Sequence, residues 1–87
     1  MSRSHFYRLI QDDDGRLIDD VLVTVYEPGS TLPISDPLYL SNEGTTTKTN
    51  PHTSNGVVDF YLEYPKRVRI GLIYGNGGEQ FLDDIDV

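Results

Sequence analysis

The chain contains no cysteine, so disulfide staples and thiolate metal sites are excluded and the redox compartment is left open. Long apolar runs are missing too. Nothing approaches a membrane span in length, and the opening "MSRSHFYRL" lacks the apolar core of a signal peptide. A chain starting at Met1 without an export signal is expected to be made and used inside a cell, or assembled there into something that later leaves it. Basic residues are scarce, 7 against 14 acidic ones for a formal charge of -7. That balance predicts no nucleic-acid partner and no affinity for anionic membranes. Amphipathic helical patterns are absent as well, because Gly, Pro, Asn and Asp interrupt the chain at short intervals.

What is present fits one small domain spanning 1–87. A chain of this size buries roughly 60 to 65% of the surface it exposes when unfolded, so its core is thin. Apolar residues make up 37%, with six Tyr and three Phe among them, so the interior should depend on aromatics whose polar ends reach the surface. Acidic residues cluster at Asp12–Asp14, Asp19–Asp20 and Asp83, Asp84, Asp86, and basic ones at Lys66, Arg67 and Arg69. Such clusters serve either as solvated turns or as a polarity that orients the domain on a partner.

The gaps between turn residues read as strands. "FYRLIQ" (6–11) is the first, "DDDG" (12–15) turns it into a hairpin with "RLIDD", and "VLVTVYE" (21–27) puts Val21, Val23 and Val25 on one face. "STLPISDPLYLSNEG" (30–44) carries two prolines and allows only a short edge strand at Leu38–Leu40. "GVVDFYLEY" (56–64) alternates with Val58, Phe60, Leu62 and Tyr64 inward, and "RVRIGLIY" (67–74) repeats the pattern with Val68, Ile70, Leu72 and Tyr74. "GNGG" then turns the chain into "EQFLDDIDV", a final short strand or an extended tail. The reading is all-β: a single antiparallel two-sheet β-sandwich of six to eight short strands.

Chemistry is hard to place on this chain. His5 and His52 are the only histidines, and neither has a second His or a Cys at ligand spacing, so no metal or cofactor is expected and no catalytic residue is assigned. "DDDG" lacks the alternating ligands of a calcium loop, although Asp12–Asp14 and Asp83, Asp84, Asp86 could share a cation if the first and last strands met. "GNGG" has neither the following helix nor the Lys of a phosphate cradle. The polar run "GTTTKTNPHTSNG" (44–56) reads as a surface connection bridging the sheets and as a contact segment through Thr45, Thr46, Thr47, Thr49, Asn50, His52, Thr53 and Ser54. Tyr61 and Val57, with Tyr7, Leu9 and Ile73 exposed nearby, would form an apolar patch; Tyr61 and the cluster Lys66, Arg67, Arg69 complete the expected contact residues.

The order of "DGRLIDDVLVTVYEPGSTLPI", "PLYL", "TNPHTSNGVVDFYLEYPKRVRIGL" and "FLDDIDV" resembles the small β-sandwich modules of tailed-bacteriophage virion proteins. The resemblance implies an Ig/transthyretin-like or carboxypeptidase-regulatory topology and a non-enzymatic structural role. It also implies location in the virion, virion proteins as partners (the major capsid protein or tail proteins), and many copies that form a homo-oligomer in the assembly. The chain stops at Val87 without the fibre or receptor-binding region of larger members, which favours capsid decoration over a tail, baseplate or fibre-anchoring adaptor. A soluble carbohydrate- or peptide-binding sandwich, with Tyr39, Tyr61 and Tyr74 as stacking surfaces, is the alternative from another class.

Overall fold

Alternation of apolar and polar side chains decides where the strands form. The computed structural model describes residues 3–75 and 77–87; Met1 and Ser2, and Asn76 of the expected "GNGG" turn, lie outside the described residues. Its strands are β1 (Ser4–Leu9), β2 (Val21–Tyr26), β3 (Leu38–Tyr39), β4 (Thr47–Lys48), β5 (His52–Ser54), β6 (Val57–Leu62), β7 (Arg67–Ile73) and β8 (Gln80–Asp86). No helix occurs among the described residues. The strands make two four-stranded sheets, ordered β1-β6-β3-β4 and β5-β2-β7-β8, with every pairing antiparallel.

The inner faces are those the alternation predicts. Val21, Val23 and Val25 of β2 and Val68, Ile70 and Leu72 of β7 meet Val58, Phe60 and Leu62 of β6 and Leu38 of β3 in one buried cluster, joined by Ile10 and Ile34 from the connections. Each such side chain contributes about 1.5–3 kcal/mol when taken out of water. That burial is what offsets the ordering of a chain with no covalent staple.

Four expectations are corrected. β1 runs from Ser4 to Leu9 instead of 6–11, and the short strand at Leu38 is not an edge but lies between β6 and β4. The expected hairpin into "RLIDD" is present but short, closed by the Gln11–Leu17 bridge, the Asp12 amide donating to the Arg16 carbonyl and the Ile18 amide donating to the Ile10 carbonyl. The Asp12 carboxylate holds that turn, accepting from the Asp14 and Arg16 amides at 2.9 and 3.0 Å. Tyr64 points to solvent, 65% exposed, because β6 ends at Leu62 and the chain bends ahead of Pro65. Tyr74 is only half-buried, with its hydroxyl donating to the Gln80 side-chain carbonyl at 3.2 Å. The polar run bridges the two sheets as expected, and in crossing it contributes an edge strand to each, β4 and then β5.

That crossing explains why so polar a segment abuts so regular a strand. β5 pairs with β2 through Val23–His52, and the next residue back, Pro51, has no amide to continue the ladder. Asn50 continues it with its side chain. The Val25 amide donates to Asn50 Oδ1, and Asn50 Nδ2 donates to the Val25 carbonyl, both at 2.9 Å. On the other sheet β3 reaches β6 only at Tyr61, and the Lys48 ammonium donates to the Asp59 carbonyl beyond it. Side chains of the run thus satisfy buried backbone groups that a longer strand would have satisfied.

Candidate interaction surface

The two sheets treat their outer faces differently. On the second sheet Tyr26 lies over Gly71, where an added Cβ would come within 2.7 Å of the Tyr26 ring. The Tyr26 hydroxyl donates to Glu79 at 2.6 Å, and Phe81 packs beside it with ring centroids 6.0 Å apart. Burial and the Glu79 carboxylate together hold the Tyr26 phenol above the usual tyrosine range. Arg69 covers Phe81 at 4.7 Å from the ring centre and pairs with Asp83. Tyr26 is thus covered on this face by its own neighbours, while Phe81 stays 39% exposed.

The first sheet leaves its outer face open. Antiparallel register sets His5, Tyr7 and Leu9 of β1 opposite Tyr61, Asp59 and Val57 of β6, and Tyr39 opposite Tyr61 on the other side. The His5 ring stacks on Tyr61 with centroids 4.0 Å apart and planes 7° from parallel, and hydrogen-bonds Asp59. Arg3 sits 3.5 Å over the Tyr39 ring and pairs with Glu63 at 3.1 Å. Tyr7 and Leu9 remain 58% and 42% exposed. Tyr7, Leu9, Val57 and Tyr61 therefore share one face as expected. Ile73 does not join them, because it belongs to β7 of the second sheet.

The remaining contact candidates fall elsewhere. Thr45, Thr46, Thr47, Thr49 and Thr53 are exposed along the crossing, whereas Asn50, His52 and Ser54 are half-buried. Thr49 Oγ1 donates to the Pro51 carbonyl at 2.8 Å. In the basic cluster Lys66 bridges Glu27 and Asp36 at 3.0 and 3.2 Å, and Arg67 pairs with Asp86 at 2.9 Å. These carboxylates hold the Lys66 ammonium and the Arg67 guanidinium above their ordinary values, and Arg67 in turn holds Asp86 below the carboxylate range. Lys66, Arg67 and Arg69 thus have internal partners, and β7 lies in the sheet opposite Tyr61. Among the described residues no three His, Cys, Asp or Glu side chains gather as metal ligands; β1 and β8, whose acidic neighbours could have met, edge different sheets.

His52 lies under the crossing. A carbonyl can only accept, so the 3.1 Å contact from Nδ1 to the Thr49 carbonyl places the ring proton on Nδ1. Nε2 is then a buried acceptor without a partner, as is the Ser54 hydroxyl on the same face of β5. Burial first, and the Lys48 charge second, hold the His52 ring below the usual histidine value. The unfolded chain takes up a proton near pH 6.5 and the folded chain resists it. Folding free energy should therefore decline as pH falls below about 6.5, and stop declining once the folded ring is protonated too. Melting temperatures of wild type and His52→Gln between pH 7.5 and 5 check this: the gap between them should change across that range, and a constant gap would refute the assignment.

A groove of 190 Å³ opens on the far side of the sandwich, lined by Arg8, Leu9, Ile10, Gln11, Leu72, Tyr74, Gln80 and Leu82. It holds one charged side chain and no carboxylate or imidazole, so it offers no acid–base pair.

Comparison with models of protein families, with curated proteins and with solved structures finds no match to any of them. No single residue would have revealed the open face; the signal was the alternation of "SHFYRL", which becomes meaningful only once β1 is known to be an edge.

Proposed function

We propose that the chain is a non-enzymatic structural module that works by docking on other proteins. In line with its sequence resemblance, we read it as a component of a tailed-phage particle, with capsid decoration ahead of a tail, baseplate or fibre-anchoring role. One observation carries the docking part: the outer face of the first sheet presents His5, Tyr7, Leu9, Val57, Tyr39 and Tyr61 beside a strand edge, while on the opposite face Tyr26 is covered by Glu79 and Phe81. Aromatic and aliphatic side chains rimmed by charge are the composition of interface cores. His52, the more buried of the two histidines, has its Nε2 without a partner, which argues against its serving as a base.

The carbohydrate-binding alternative loses support from the same face. Sugar stacking needs bare rings, yet Arg3 covers one face of Tyr39 and His5 one face of Tyr61. Tyr74 lies on the second sheet's side, at the groove.

Decoration would act by mass action, many copies binding the assembled shell and not its dissociated subunits. Imaging of particles carrying the labelled chain tests the reading. Label over the head supports decoration, label at one vertex or the tail supports an adaptor, and label absent from particles overturns both. Tyr7→Ala with Tyr61→Ala is expected to weaken attachment at least about tenfold, the loss typical of removing an interface anchor.

A further inference from the structure

Four strand edges are unpaired among the described residues, those of β1, β4, β5 and β8. They are not equally available. β4 and β5 are two and three residues long, too short to template much pairing. β8 carries Asp83, Asp84 and Asp86, with a register shift in its ladder and Asp84 at a positive φ of 54°. Inward bends and charges of this kind are how proteins blunt an edge. β1 carries one charged residue, Arg8, but has no bend and no register shift. It is six residues long, its register with β6 is unbroken, and none of its residues is Pro or has positive φ.

The Ile10 amide donates to the Gly56 carbonyl at 2.7 Å. Antiparallel ladders alternate, so the amides and carbonyls of Arg8, Phe6 and Ser4 likewise face β6, and those of His5, Tyr7 and Leu9 face away. The side chains of these three outward-bonding residues are the ones on the open face.

We propose that β1 pairs antiparallel with β1 of a second copy about a twofold axis through Tyr7, joining two four-stranded sheets into one continuous sheet. In this register Tyr7 faces Tyr7 of the partner subunit, and His5 of each copy faces Leu9 of the partner subunit. The outward backbone groups of all three residues then bond one another, and their side chains stay on the open face. On the other side of the strand each Phe6 faces Arg8 of the partner subunit, so guanidinium meets aromatic ring and no like charges stand opposite. Sliding by one permitted step toward Arg8 places the two arginines together. Sliding the other way leaves Leu9 opposite Arg3, which already serves Tyr39 and Glu63. The self-complementary side-chain pattern selects a second copy over an unrelated strand. The pairing holds whether or not the chain belongs to a virion.

The absence of cysteine makes the register directly testable. Paired residues in a hydrogen-bonded register lie about 5.5 Å apart at Cα, within disulfide range. Under mild oxidation Tyr7→Cys is expected to cross-link to itself, His5→Cys and Leu9→Cys each alone to remain uncross-linked, and an equal mixture of those two to cross-link. Light scattering of the wild-type chain should give about twice 9.8 kDa at micromolar concentration. Tyr7→Pro, which removes the outward amide and the ring at the twofold axis but no bond to β6, should give the monomer with an unchanged circular dichroism spectrum. A wild-type monomer at 100 micromolar, a dimer that survives Tyr7→Pro, or self-cross-linking of His5→Cys in place of Tyr7→Cys would overturn the proposal.

Discussion

Phe60→Ala is expected to cost about 3 to 5 kcal/mol of folding free energy. Phe60 is among the largest of the fully buried side chains, 0% exposed, and it stands at the middle of β6 where Phe6 packs against it with ring centroids 5.4 Å apart. Sheets bonded along their strands cannot close over the missing ring without breaking ladders, so much of the cavity would persist. A domain of this size has only about 5–15 kcal/mol in total, and one substitution would remove a large share. Urea unfolding checks it: the midpoint should fall while the slope stays constant. Tyr64→Ala, at a side chain 65% exposed, should change stability by no more than about 0.5 kcal/mol. A Phe60→Ala loss below about 1 kcal/mol would mean that the sheets do not pack on this ring.

Gly56→Ala is expected to cost about 2 to 4 kcal/mol. Two separate costs meet at this position. Its φ is +87°, a conformation in which a Cβ crowds the backbone. In addition, a Cβ there would come within 2.8 Å of Leu17 Cβ and 3.0 Å of the Ile18 amide and carbonyl, and backbone cannot swing aside as a long side chain can. Gly15 separates the two costs, because its φ is similar at +80° but nothing lies within 4 Å of an added Cβ. Gly15→Ala should lose only the conformational part, about 1–2 kcal/mol. Equal losses in thermal melts of the two variants would rule out the close approach of residues 17 and 18 to the start of β6.

The same glycine shows how far local chemistry can be read. Asn55-Gly56 is recognisable as a turn ahead of an alternating strand, and the alternation of Val58, Phe60 and Leu62 names its inner face. Both are properties of a few consecutive residues. Tyr64 breaks the pattern because alternation says which side a residue takes only while the strand lasts, and the bend before Pro65 ends it. The contact candidates show the opposite limit. Asn50 and His52 look like surface donors in a polar loop, yet Asn50 bonds the backbone of Val25, 25 positions away, and His52 is tucked beside β2. Lys66, Arg67 and Arg69 look like a free basic patch but face carboxylates brought in by the distant segments at Glu27, Asp36, Asp83 and Asp86.

Composition and spacing alone therefore determined an all-β chain, the inner residues of its central strands, and the absence of any cysteine chemistry, because period, turn propensity and inventory act within a few bonds. Which strands stand at the edges, which outer face is covered, and which polar side chains are consumed inside the molecule were decided by the packing of the two sheets. Those outcomes depend on partners far apart along the chain, and pairing across such distances leaves no mark on the neighbouring residues of either partner.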